Sequence, residues 1–342
     1  MSREYRNEID EKNYNKINEL VNGMPEFIED YYDYLVSKGR TTNTIKSYIY
    51  EVNVFLRFVA TVVKKESITD LVVTDLDKVK LEKINTFVAR SEAGVTLADT
   101  AKRRRLSVVK SIYKFYFKIG AITTNPVIEE EGAKLKEKEV IKLNEHQVKA
   151  LLDCIQNQSG VNEHSKAYSE KLVYRDLAIV MVLLGTGMRV SELVGLNISD
   201  YDLTTPGKPC FHIVRKGDAE DYVYFVDAVK NAVDDYVELT RPLLDDSSEE
   251  NALFLSTQHK RMGVSSIEKM LKKYCKAAGL ASNISPHKLR ATFATTVYKN
   301  TNNIYAVKDA LHHSSIETSK HYIGDKDERK QEAAIAAASL FA

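Results

Sequence analysis

One short stretch constrains the fold class more than any other. Between Pro209 and Asp227, CFHIVRK and YVYFV have the β-branched and aromatic content of two strands, joined through Gly217-Asp218-Ala219-Glu220, while the flanking segments carry apolar residues at helical spacing. A lone hairpin buries too little to be stable and must rest on helices. The expected class is therefore mainly α: a helical N-terminal domain, then an α+β domain that is mostly helical with a small antiparallel sheet.

From Pro25 to about Gly120 the pattern is helical. Phe27, Tyr31, Tyr34 and Leu35 share one face, and Ile45, Tyr48, Val52, Phe55, Leu56 and Val59 share another, with Thr41 and Thr42 as candidate caps. Asp75 to Arg90 reads as a third helix. A fourth, Ala98 to Ile119, places Leu106, Val109, Ile112, Tyr113, Tyr116 and Phe117 on its buried side. It also carries seven basic residues against one acid, Asp99, and Arg103, Lys110, Lys114 and Lys118 fall into a stripe. Such a stripe neutralises phosphates on a nucleic acid, or it is a solvated helix face.

Ala121 to Leu143 holds Asn125-Pro126 and a run of Glu and Lys with little periodicity, and reads as a linker. Beyond it, Asn144 to Ile155 and Lys171 to Leu184 are expected to be helical. After the hairpin, Ser265-x-x-Glu268 has the form of a capping box for a helix with Ile267, Leu271, Tyr274 and Ala278 on one face. Ser285 caps the next, with Pro286 in its first turn and Leu289, Phe293 and Val297 buried; Ser314-x-x-Glu317 opens a short segment ending at Tyr322.

Composition mostly excludes. Lys+Arg 49 against Asp+Glu 48 gives a formal charge of +1, so any nucleic-acid signal must be local. The amino terminus is too polar for a signal peptide, and the longest apolar run, around Ala178 to Gly185, falls far short of the ~20 residues that span a bilayer. A soluble, cytoplasmic protein is expected. Cys154, Cys210 and Cys275 have no C-x-x-C pairing, and no HExxH, Walker loop or GxGxxG occurs, so the sequence supports neither a disulfide framework, a metal site nor a bound cofactor.

Three places remain for chemistry. His287 and Arg290 stand three apart in the first turn of a helix, where N–H groups and the dipole favour an anion. Arg189, in Thr186-Gly187-Met188-Arg189-Val190-Ser191-Glu192-Leu193, sits near a helix start with Glu192 one turn on to orient its guanidinium. His313 precedes Tyr322 by nine residues. Each has an ordinary reading: an ion pair, exposed side chains, a structural tyrosine.

Order and context together change that weighing. RDLAIVMVLLGTGMRVSELVGL, HIVRKG, SPHKLRATFAT and LHHSSIETSKHY, running from about Val173 to Tyr322, resemble the tyrosine recombinase (phage integrase) family, and are closest to its Xer-type and transposon-borne bacterial members. The resemblance implies Tyr322 as nucleophile, Arg189 and Arg290 as the grip on the scissile phosphate, Lys216 as general acid, His287 as an acid/base group and His313 as a phosphate donor, with Glu192 in support. His312 stands where a glycine is usual, and Ala291 where a histidine is frequent.

The chemistry suits these residue types. Guanidinium forks neutralise the charge of a pentavalent phosphorus without a metal, a phenol with pKa ~10 must lose its proton to a neighbour, and a lysine can protonate the departing oxygen. The implied activity is metal- and ATP-independent cutting and rejoining of duplex DNA at specific sites through a 3′-phosphotyrosyl intermediate, for a mobile element or for chromosome dimer resolution. A type IB topoisomerase-like strand relaxer and a catalytically lapsed DNA-binding regulator are the alternatives. The implied partners are double-stranded DNA and further copies of the chain, as a tetramer on two sites; a membrane is not implied.

The expected organisation is a polar arm over residues 1–24, a core-binding domain over 25–120, a linker over 121–143, a catalytic domain over 144–326 and a helical tail over 327–342. The alanine-rich tail offers Ile335, Leu340 and Phe341 as a small apolar surface for docking on a neighbouring protomer or on its own domain.

Overall fold

Two separate hydrophobic cores divide the chain into two units, one spanning residues 7–138 and the other residues 1–6 together with 139–342. The computed structural model describes residues 3–133, 141–158, 171–204, 208–215, 219–245, 251–312, 315–316 and 319.

In the first unit, α1 (Arg3–Val21, from Asn7 onward), α2 (Phe27–Ser37), α3 (Thr42–Val63), α4 (Leu81–Ala89) and α5 (Asp99–Lys118) surround one core. Thr41 caps α3 by accepting from the Thr44 N–H at 3.3 Å, and Ile45, Ile49, Val52, Phe55, Leu56 and Val59 form its buried stripe. On α5, Leu106, Val109, Ile112, Tyr113 and Tyr116 are buried; each such side chain contributes about 1.5–3 kcal/mol. The tyrosines keep their hydroxyls satisfied, Tyr113 donating to the Leu76 carbonyl at 2.9 Å and Tyr31 to Ser111 Oγ at 2.8 Å.

The unit departs from expectation in three places. Residues 3–21, read only as a polar arm, form a helix that buries Asn13, Ile17 and Val21. Asp75 to Arg90 is not one helix but a 3-10 turn, Val73–Lys78, followed by α4. Asp75 accepts from the Val72 N–H at 3.0 Å and pairs with Lys78 at 2.7 Å, closing a tight turn, and Val79 and Lys80 are extended. Phe117, expected in the core, is 44% exposed at the end of α5.

The second unit is built around α7 (Val173–Thr186), whose Ala178, Ile179, Val180, Val182 and Leu183 are all buried. Against it pack α6 (Glu145–Asn157), α9 (Asp227–Asp235) and α12 (Pro286–Thr301). The short α8 (Val190–Val194) and α10 (Arg241–Leu244), with α11 (Val264–Ala277) and α13 (Ile304–Leu311), complete the helices named here. The expected hairpin is present as β2 (Cys210–Val214) and β3 (Glu220–Tyr224), paired antiparallel with Phe211 opposite Val223 and Val214 opposite Glu220. A third strand, β1 (Tyr201–Asp202), extends it; two residues are too few to leave an alternating pattern. Phe211, Ile213 and Val223 face the core.

Ser265 does not cap α11. Gly263 is the residue before the helix, without a side-chain cap, and Val264 and Ser265 already lie inside it. Ser285 does precede α12, with Pro286 at its start, but makes no side-chain cap bond. Ser314 and Glu317 lie outside the described residues. Among the described residues no helix is long and apolar enough to cross a membrane.

Candidate active site

The turn between α7 and α8 presents the first arginine. Gly187 ends α7 at φ +62, and Arg189 takes the residue position before α8, where its N–H donates to Glu192 Oε2 at 2.7 Å and its Nη1 to Glu192 Oε1 at 2.9 Å. The Arg189 side chain stays 41% exposed while that of Glu192 is only 10% exposed, so one carboxylate aims a guanidinium outward. The i,i+3 pair and the orienting role are therefore one arrangement.

Glu192 does more than brace Arg189. Arg215, at the end of β2, donates from Nη1 to Glu192 Oε1 at 2.9 Å and from Nε to Asp221 on β3 at 2.5 Å. Burial opposes the charge on Glu192, yet the Arg189 N–H and the charges of Arg215 and Arg189 outweigh it and hold the carboxyl below the ordinary range. A buried carboxylate shared by two guanidiniums is thereby kept ionised.

The second arginine is held differently. Arg290, in the first turns of α12, is 4% exposed; its Nη1 donates to the Gly187 carbonyl at 2.5 Å and its Nη2 to the Leu311 carbonyl at 2.8 Å. One planar fork thus fastens the end of α7 and the end of α13 to α12. His287, one turn earlier on α12, is exposed. Just past α13, His312 has φ +51, and its Nδ1 lies 2.6 Å from Asp221 Oδ2.

The described residues therefore bring Arg189, Glu192 and Arg290 to one junction of α7, α8, α12 and α13. Lys216, His313 and Tyr322 lie outside the described residues. Arg215 and Asp221 were not singled out from sequence, and His312 only as a departure from the usual glycine. The signal was weak: Arg215 adjoins Lys216, and Asp221 is one acid among many. Arg6, which no sequence pattern marks, donates from its guanidinium to the Val214 and Arg215 carbonyls at 2.7 and 2.8 Å and so supports the end of β2.

On α5 of the first unit the basic residues divide. Arg105 donates to the carbonyls of Phe87 and Arg90, at 2.9 and 2.8 Å, and Arg104 to Ser47 Oγ at 2.6 Å. Of the stripe, Lys110 is engaged with the Glu130 carbonyl at 2.7 Å, whereas Arg103, Lys114 and Lys118 are exposed. Lys114 and Lys118 form no ion pair among the described residues.

One cluster in the second unit has the composition of a metal site. Ligand atoms of Asp202, Cys210 and His212 lie within 4.8 Å of one another. Asp202 already accepts from the Thr204 N–H at 2.8 Å and is paired with His212 Nε2 at 3.0 Å. Thr204 and His212 hold its carboxyl down at about 2, while burial pushes the Cys210 thiol up. Asp202 and His212 thus satisfy each other as a hydrogen-bonded corner of the sheet, with the Cys210 thiol buried beside them.

A helical unit and a mixed unit bearing carboxylate-braced arginines define an integrase-class architecture. Residues 141–329 match the phage integrase family, and residues 28–118 match the phage integrase N-terminal SAM-like domain. The chain belongs to the phage integrase family, and both the resemblance read from sequence and the mainly α fold hold. It is 30% identical to tyrosine recombinase XerC of Caldanaerobacter subterraneus subsp. tengcongensis, covering 90% of this chain and 86% of that protein. With tyrosine recombinase XerS of Streptococcus equi subsp. equi it shares 27% identity, over 90% and 94% of the two chains. Among solved structures, XerH recombinase in a post-cleavage complex with palindromic difH superimposes with TM-score 0.69 at 19% identity, over 96% of this chain and 90% of that one. The Tn1549 transposon integrase with circular intermediate DNA gives 0.64 at 18% identity, over 89% and 97%.

Proposed function

We propose that this protein is a site-specific tyrosine recombinase that cuts and rejoins duplex DNA through Tyr322. The observation that carries the reading is Arg290, whose fork fastens Gly187, 103 residues upstream, and Leu311 to one helix beside Arg189. Arg290 fixes the junction of α7, α12 and α13, and the outward guanidinium of Arg189, braced by Glu192, gives that junction a preorganised cation that can meet an anion.

The phosphodiester binds between Arg189 and Arg290, whose fixed positive charge matches the charge that grows on the non-bridging oxygens as phosphorus becomes pentavalent. Because both guanidiniums are positioned before substrate arrives, little reorganisation is needed during reaction. Tyr322 attacks phosphorus as His287 takes its proton, the bond to the 5′ oxygen breaks, and Lys216, next in sequence to Arg215, protonates that oxygen; His313 donates to the phosphate. The product is a 3′-phosphotyrosyl link and a free 5′-hydroxyl. Attack by a 5′-hydroxyl from a second duplex reverses the sequence and joins the strands without an energy source.

The first unit is the DNA clamp, with Arg103, Lys114 and Lys118 on backbone phosphates; because Ile122 and Val127 belong to its core and Leu143 to the core of the catalytic unit, the connection expected over 121–143 is shortened to the stretch between Val127 and Leu143. Four copies act on two sites, which fits the relatives solved as recombinase and integrase complexes with DNA, including a lambda integrase tetramer on a Holliday junction. The tail, 327–342, docks on a neighbouring copy, and the protein works in the cytoplasm. A nicked suicide duplex tests the reading: a covalent protein–DNA adduct is expected, absent in Tyr322→Phe, with joining between two duplexes. No adduct with wild-type protein overturns the reading; an adduct with relaxation but no joining between duplexes identifies a topoisomerase.

A further inference from the structure

We propose that His312 is a positioning residue: its contact with Asp221 latches the end of α13 to β3 and thereby holds the hairpin that bears Arg215 in register with Arg189 and Arg290. Its bearing on catalysis rests on the recombinase reading above; the latch itself does not.

The backbone provides the first observation. At φ +51, His312 is in the left-handed region, where a residue with a β-carbon is disfavoured and glycine is not. Lys64, Gln158 and Asn302 also end helices in this region, and histidine enters it more readily than most residues, so the backbone alone does not call for a partner; it sets a place that glycine could fill, at which the histidine side chain is free to do something further.

What that side chain does is the second observation. His312 Nδ1 lies 2.6 Å from Asp221 Oδ2, with the two side chains 29% and 23% exposed, so the contact is partly sheltered from solvent. Burial and the nearby Arg215 charge, with a smaller contribution from Arg290, hold the imidazole below its ordinary range against the pull of Asp221 and Glu192. A neutral ring with its proton on Nδ1 donates to the carboxylate.

The third observation is where Asp221 leads. Its Oδ2 also takes the Arg215 Nε at 2.5 Å, and its Oδ1 accepts the Tyr222 N–H at 2.8 Å. Arg215 passes the connection to Glu192, and Glu192 to Arg189, each at 2.9 Å. On the other side, Leu311, the residue before His312, gives its carbonyl to Arg290. His312 thus closes a ring of interactions from Arg189 through Glu192, Arg215 and Asp221 to the segment held by Arg290. Without it, the Arg215–Glu192 contact still ties the hairpin to Arg189 and Arg6 still holds the Val214 and Arg215 carbonyls, but among the described residues the side-chain link to the segment held by Arg290 is gone.

Three variants of the full chain test this. His312→Gly removes the latch at no backbone cost, and a residue that merely ended the helix would be replaced by glycine without loss. His312→Asn tolerates the same φ and offers an N–H to Asp221. Asp221→Asn removes the charge from the other side. For His312→Gly, unchanged melting temperature and DNA affinity are expected, with faster amide hydrogen exchange over residues 210–224 and adduct formation on suicide DNA about 10- to 100-fold slower at saturating DNA. Asn should recover most of both losses, and Gly combined with Asp221→Asn should be less than additive. Unchanged hairpin exchange in His312→Gly overturns the latch. Faster exchange with wild-type adduct formation overturns its positioning role. If wild-type protein forms no adduct, the recombinase reading fails, and the exchange measurement still decides whether the latch exists.

Discussion

The ring of Phe293 occupies the space that a side chain on Gly187 would need: a β-carbon there would lie 2.3 Å from Phe293 Cδ1. Gly187 also has φ +62 and offers its carbonyl to Arg290. One residue therefore turns the chain out of α7, admits α12 and anchors the buried arginine. Gly187→Ala combines a left-handed backbone cost with overpacking and should destabilise the protein by about 2–4 kcal/mol in urea unfolding. Adding Phe293→Ala should recover the steric part, so that the double variant is more stable than the sum of the single losses.

Much of this junction was legible in the sequence, for a definite reason. Gly187, Arg189 and Glu192 lie within six positions, and His287 and Arg290 within four, so their relations are set by one turn and one helix start. The network that ties them together was not legible. Arg215 reaches Glu192 across 23 positions, and Asp221 meets His312 across α13 and the hairpin; no periodicity records such pairings. A related limit explains the cap expected at Ser265: an S-x-x-E spacing is compatible with a helix that starts after Ser265 or with one already begun a residue earlier, at Val264.

Glu192 should make stability depend on acid. Its folded carboxyl titrates below the ordinary range, so the stability it adds is complete above about pH 4.3 and is lost as pH falls from there through the lower folded value. In Glu192→Gln that portion of the acid limb should disappear. The substitution should cost roughly 2–4 kcal/mol at pH 7, since two guanidiniums lose their shared anion. Urea titrations of both proteins between pH 3 and 7 measure the difference; parallel curves would refute the assignment.

Arg189 and Arg290 should part company when removed. Both Arg189→Ala and Arg290→Ala are expected to lower adduct formation by about 100-fold or more while specific DNA binding persists. Only Arg290→Ala should also destabilise the fold, by about 2–4 kcal/mol, because it strands the buried Gly187 and Leu311 carbonyls; exposed Arg189 anchors nothing comparable. Arg290→Lys, a point charge without a fork, should satisfy one carbonyl and remain deficient in both respects. Thermal melts and single-turnover cleavage on the same preparations separate the two effects.

Salt dependence distinguishes the lysines of α5. Lys114 and Lys118 project into solvent, so replacing both with Ala should weaken DNA binding and reduce the slope of log K against log salt by about 0.9 for each phosphate that is no longer neutralised. Lys110 is engaged with the Glu130 carbonyl, and Lys110→Ala should leave the slope nearly unchanged. A slope unaltered by the double substitution would mean that this face of α5 does not meet DNA.

A groove of about 1530 Å³ in the second unit gives the proposed tail docking a definite acceptor, with Leu152, Leu177, Met181, Leu184, Phe293 and Val297 among its lining residues. Residues 327–342, with Ile335, Leu340 and Phe341, have the apolar content to fill part of it. Deleting 327–342 and substituting Met181→Asp should each abolish cooperative assembly on two-site DNA, seen in band-shift titrations, while single-site affinity survives. Mixing the two proteins decides how the tail is delivered. The Met181→Asp chain retains a tail and the truncated chain retains a groove, so a tail passed between copies lets the mixture assemble where neither partner does alone. A tail folded onto its own groove gains nothing from mixing, since each chain still lacks one half of the docking pair.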